Sequence, residues 1–212
     1  MTKPVTIIEP PKNIRGIQLS ELWEYRELAW VMMLRDIKVR YKQTVLGVVW
    51  AIIQPLTAMA IFTFIFGRLA QIPSDGFPYP VFVFSGLLAW NLFSSAVSSG
   101  GVSLLGASNM ISKVYFPRLI IPIASIGVSL IDFVVSFIIL LVLMFIYSVG
   151  LSWQIVLFPV FVIGLVLVAI GISTWLTAVT VVYRDFRFVL PFMIQIWMYI
   201  TCLLYTSPSP RD

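Results

Sequence analysis

One carboxylate, Asp132, lies deep in an otherwise apolar run. At 1.5 Å per helical residue it sits about 20 Å along from Arg118. A carboxylate in hydrocarbon costs at least about 2.5 kcal/mol, so it must face the interior of a helix bundle or water. Two uses fit. It lines or gates a channel, or it hydrogen-bonds a Ser or Thr of a neighbouring helix. Acid–base chemistry on a substrate would require further convergent polar groups. The apolar segments hold no second carboxylate, and the chain has no histidine.

That lack of histidine, with a single cysteine, Cys202, excludes the usual Cys/His zinc sites, a histidine-based triad and an intramolecular disulfide. No GxxxxGK[ST] phosphate loop occurs, and Gly100–Gly101 has no Lys-Ser or Lys-Thr after it. Neither a catalytic site nor a cofactor or metal site is expected.

The elements that must carry these residues are membrane helices. Of 212 residues, 60% are hydrophobic and 11% charged, against about 25% charged in a soluble domain. Five apolar segments fall near residues 44–67, 81–104, 119–147, 154–182 and 188–205. Each approaches or exceeds the roughly 20 residues a span needs. The expected fold is all-α and polytopic, with one transmembrane domain over 19–205 and a loose polar arm over 1–18. No cleavable signal peptide is evident.

Basic residues set the topology. Lys3, Lys12, Arg15, Arg26, Arg35, Lys38, Arg40 and Lys42 precede the first span. The next connection has Arg68, the third segment Lys113 and Arg118, the fourth none and the fifth Arg184 and Arg187. This alternation places the N-terminus in the cytoplasm. It also argues for lipid and topology rather than nucleic acid as the reason for the net charge of +5. Trp50, Trp90, Trp153, Tyr79 and Tyr147 are expected near span ends as interface anchors.

Three segments between or before spans stand out. Ser20 to Gln43 reads as an interfacial amphipathic helix. Its apolar face is expected to hold Trp23, Trp30, Met33, Leu34, Ile37 and Tyr41, with Arg35, Lys38, Arg40 and Lys42 towards its end. It passes straight into a span in which Pro55 is expected to kink the helix. The segment LLGASNMISKVYFPR reads as a short helix capped by Ser108 or Asn109, with Met110, Ile111, Val114 and Tyr115 on one face. Such a helix rests on lipid or docks a partner. Arg184, Asp185 and Arg187 form a tight turn, for which topology alone is a sufficient reason.

Three stretches together resemble the ABC-2 type permeases of the polysaccharide and polyol-phosphate export group. They are RDIKVRYKQTVLGVVWAIIQPL from Arg35, KVYFPRLIIPIAS from Lys113 and YRDFR from Tyr183. The resemblance covers residues 19 to about 203. It implies a homodimer in the bacterial inner membrane, bound to a separate ATP-binding subunit and moving a lipid-linked glycan. It further implies that Asn109 to Tyr115, with Lys113, is the coupling helix pressed on that subunit. Arg184, Asp185 and Arg187 would make a second contact.

Members of that group have six spans, one more than is counted here. The polar run YTSPSPRD after Leu204 reads as an artefactual tail, over 206–212, on a C-terminally truncated chain. Trp90, Phe93, Trp175, Trp197 and Tyr199 are candidates as a class for stacking on sugar rings, although lipid-facing placement suits any one of them better. Ser94, Ser95, Ser98, Ser99, Gly100 and Gly101 are expected to let helices approach closely. Rival readings are an ABC-2 permease for a drug or lipid, a non-transporting membrane scaffold and a membrane-embedded glycolipid enzyme.

Overall fold

The computed structural model describes residues 19–42, 47–69, 77–111, 116–150 and 153–205. Every regular element among them is helical. Two helices, α1 (Leu19–Glu24) and α2 (Arg26–Lys42), precede the spans. The first span joins α3 (Gly47–Phe62) to a π-helical stretch, Thr63–Leu69. The second is α4 (Tyr79–Gly106), followed after Ala107 by the one-turn α5 (Ser108–Ile111). Then come α6 (Ile120–Ile146), a 3-10 turn at Trp153–Leu157, α7 (Phe158–Val182) and α8 (Phe186–Tyr205).

Four helical stretches among the described residues are long and apolar enough to cross a membrane: Val49–Gly67, α4, α6 and α7. In α8 the apolar run Phe186–Thr201 is shorter. The fold is that of an all-α polytopic membrane protein.

Local sequence explains the ends. Pro80 sits in the first turn of α4 and Pro159 in that of α7, where the missing N–H is no loss. Ser148 (φ 52°) terminates α6 in the left-handed region, and Val149 N–H returns to Met144 O as in a Schellman cap. Pro55, expected to kink its span, lies buried within α3 and the helix runs through it. The irregular hydrogen bonding comes later, in the π-helical stretch.

Helix α4 is central and packs on α3, α6, α7 and α8. Its Ala96 and Val97 meet Ile126, Ala169, Leu176, Leu190 and Ile194 in one apolar cluster. Its Val81, Phe84, Leu88 and Leu92 meet Phe133 and Leu140 in a second, with Leu56 and Met59 of α3 against it. Small residues permit the close approach, as expected. Gly100 and Gly101 are buried, facing Ser173 of α7 and Leu190 of α8. Polar side chains bridge the helices: Ser95 and Ser129 hydroxyls are 3.0 Å apart, and Thr177 donates to the Gly100 carbonyl at 2.6 Å. The outward faces of the spans are apolar, with Val134, Ile138 and Phe145 exposed on α6.

The segment before the spans departs from expectation in two ways. It breaks at Tyr25 into two helices. Its buried side is not the one carrying the tryptophans. Trp23 is 71% exposed and Trp30 59%, whereas Met32 is 4% exposed and packs with Leu22, Tyr25, Leu28, Ala29 and Met33 on α6. The reason is that apolar residues lie on both sides of α2, Met32 meeting protein while Trp30 and Val31 stand outward among charged residues such as Glu27 and Arg35. Arg26 lies 5.3 Å from the Trp23 ring on the exposed side. Trp90 also departs from expectation. It lies mid-way along α4, half-buried, not at a span end.

Candidate functional site

The start of α2, α5, the start of α6 and the α7–α8 turn gather at one end of the bundle. Leu104 and Ala107, where α4 passes into α5, pack in a cluster with Met32 of α2 and Phe116, Ile120, Ile121 and Ala124 at the start of α6. The α7–α8 turn belongs to the same end, since Leu190 of α8 meets Gly101, close to where α4 finishes. The opposite end is marked by Gly67 against the ring of Tyr79, at 3.0 Å for an added Cβ.

Within this end the coupling segment is only partly described. Ala107 accepts the N–H groups of Met110 and Ile111, closing the single turn of α5. Asn109 lies in that turn, while Lys113, Val114 and Tyr115 fall outside the described residues. Met110 and Ile111 are half-buried against the Met32–Phe116–Ile120 cluster, so their apolar side is turned to α2 and α6. Ser108 is exposed. Arg184 and Asp185 are exposed in the turn after α7. Arg187 is exposed in the first turn of α8, its guanidinium 4.6 Å from the Phe188 ring centroid.

The basic stretch of α2 divides in two. Arg35 pairs with its neighbour Asp36 at 2.8 Å, both at the surface, where such a pair is worth little. Lys38 is exposed and Lys42 ends the helix. Arg40 and Tyr41 turn instead to α6. Arg40 Nη2 is 2.9 Å from Asp132 Oδ2, with the two side chains 53% and 22% exposed. The Tyr41 hydroxyl donates a short hydrogen bond to Asp132 Oδ1. Tyr41 lies on α2, outside the spans. Desolvation first, then the hydrogen bond to Asp132 and the carboxylate's charge, push its hydroxyl up to about 12. It therefore remains a donor at neutral pH.

Asp132 thus has a partner, but not the Ser or Thr of a neighbouring span that sequence reasoning weighed. Tyr41, 91 positions upstream, and its neighbour Arg40 hold it. The signal was present: a lone acid within the spans and a run of cations on the helix before the first span. Reasoning by span alone did not pair them. Alongside, Met33 of α2 lies on the bare backbone of Gly127 in α6. From Met33 to Arg40 on α2, and from Gly127 to Asp132 on α6, the chains advance together. The two helices therefore run in the same direction.

Of the aromatic candidates, three form a chain. The Trp90 and Phe93 rings are 5.8 Å apart, and Phe93 and Trp197 are 6.2 Å apart. Trp175 and Tyr199 stand outside it, 62% and 54% exposed, and Tyr199 accepts from the Gln195 amide at 3.3 Å.

A central helix wrapped by apolar spans defines a polytopic α-helical membrane protein. Residues 27–209 match the ABC-2 type transporter family, and the chain belongs to that family. It is 30% identical over 194 residues to the O-antigen export system permease protein RfbA of Myxococcus xanthus, covering 92% of this chain and 74% of that one. It is 31% identical over 185 residues to an O-antigen export system permease protein RfbA of Klebsiella pneumoniae, covering 85% and 70%. To the polysialic acid transport protein KpsM of Escherichia coli it is 26% identical over 183 residues, covering 84% and 69%. The family anticipated from the three sequence segments is therefore the right one.

Proposed function

We propose that this chain is the permease subunit of an ATP-driven exporter that moves polysaccharide or a lipid-linked glycan across the bacterial inner membrane, its N-terminus in the cytoplasm. The observation that carries this reading is similarity along 92% of the chain to a permease named for O-antigen export. The polysialic acid transporter, a relative named for a different glycan, supports the wider substrate class.

The sequence contains no phosphate loop, so the energy comes from a separate ATP-binding subunit. The exposed α7–α8 turn and α5, at one end of the bundle, are the surface that subunit grips. ATP biases two arrangements of the permease through the subunit's different affinity for each. Two copies of the chain enclose the glycan path, and neighbouring lipid covers the remaining apolar faces.

The test is deletion of the gene in its source bacterium. Surface glycan is expected to disappear while its lipid-linked precursor accumulates inside, and the wild-type gene restores export. Unchanged surface glycan would overturn the proposal.

A further inference from the structure

The Arg40–Asp132–Tyr41 cluster joins a helix outside the spans to the middle of one of them. We propose that Asp132 is a positioning residue: through Arg40 and Tyr41 it seats α2 on α6, so that both helices move as one body when α5 is displaced. This rests on the exporter reading above.

Three contacts along α2 make the case. Near its start, Leu28 and Met32 share a cluster with Met110 and Ile111, so any push on α5 reaches α2. In its middle, Met33 lies on Gly127. At its end, Asp132 holds both Arg40 and Tyr41. Apolar packing alone fixes the first two contacts. The far end of α2 has exposed Lys38 and Val39 on its other sides. Without Asp132 the Arg40 and Tyr41 side chains lose the group that ties them to α6. The end of α2 would then lift from α6. A carboxylate kept at this depth despite its cost is accounted for by this anchoring.

The experiment uses a built-in ruler. A Cβ on Gly127 would lie 3.8 Å from Met33 Cβ, within the Cβ–Cβ range of about 3.5–4.5 Å that a disulfide spans. The pair Met33→Cys and Gly127→Cys, in a Cys202→Ser background, should cross-link within one chain and report the seating of α2. Adding Asp132→Asn is expected to lower the cross-linking rate and glycan export about tenfold, the effect of losing about 1.4 kcal/mol. ATP turnover of the complex should persist. Oxidative closure of the disulfide should restore export in the Asp132→Asn protein, and reductant should remove it again. The exchanged pair Arg40→Asp with Asp132→Arg should also recover seating. Full cross-linking and export in Asp132→Asn would overturn the proposal. So would export that stays lost with the disulfide closed. Cross-linking is read without any transported substrate, so a wrong exporter assignment would leave it intact and show only in export.

Discussion

Gly100 faces Ser173 so closely that a methyl group on it would lie 2.6 Å from Ser173 Cβ and 3.0 Å from its hydroxyl oxygen. Ser173 is fully buried, and its Cβ is fixed to the α7 backbone, so only separation of α4 and α7 relieves the clash. Gly127 differs, because its neighbour is the flexible thioether of Met33. Gly100→Ala is therefore expected to destabilise the folded protein by about 1–3 kcal/mol, and Gly127→Ala by clearly less. Thermal unfolding in detergent checks the order. Equal effects would contradict it.

Thr177 lies 2.6 Å from the Gly100 carbonyl and 2.7 Å from that of Ser173, so its one proton is shared across the same contact. Thr177→Val keeps the shape and removes the donor. Interhelical hydrogen bonds in membranes are worth about 0.6 kcal/mol on average, and a loss of that size is expected. The same unfolding assay reads it, and Thr177→Ser should lie nearer to wild type.

Much of this bundle was legible in the sequence. Segments placed near 81–104 and 119–147 fold as Tyr79–Gly106 and Ile120–Ile146, because length and hydropathy decide what a bilayer accepts. Side-chain partners were not legible. Both Trp23 and Met32 are apolar, and an apolar stripe says nothing about which side meets lipid and which meets protein. Asp132 had to be satisfied, yet its partners are Tyr41, 91 residues away in the chain, and the adjacent Arg40, both on a helix that precedes the first span. Met110 illustrates the same limit. Periodicity puts it on one apolar face, for lipid or for a partner, and only the resemblance implies docking; the structure adds that its side packs on the α2–α6 cluster.

Tyr41 provides a test of the Asp132 cluster by titration. Its hydroxyl is raised from the ordinary 10.0 to about 12. A folded-state value above the unfolded one means the contribution is fully present below pH 10 and is lost as pH rises through about 12. The chain has 8 tyrosines. Subtracting the ultraviolet titration of Tyr41→Phe from that of wild type isolates this one, which is expected to ionise near the upper value. Asp132→Asn should bring it down. A difference curve centred at the ordinary phenol value would show that the hydrogen bond is absent.

Arg184 offers the cleaner probe of the partner surface. Substituting Met110 would disturb the seat of α2 as well as any docking, so loss of a partner could not be assigned to either. Arg184 and Asp185 are exposed in a turn, and surface changes of this kind usually leave the fold within about 0.5 kcal/mol. If the ATP-binding subunit grips this turn, reversing a charge there sets like charges together, a cost large enough to suppress association. Arg184→Glu is expected to reduce co-purification of the subunit, while insertion into the membrane and elution on size exclusion stay as in wild type. Salt should weaken the wild-type complex in the same direction, because an exposed ion pair is screened within about 10 Å at 0.1 M. Retention of the subunit at wild-type levels by Arg184→Glu, Asp185→Arg and Arg187→Glu alike would remove this turn from the docking surface and leave α5 with the segment after it.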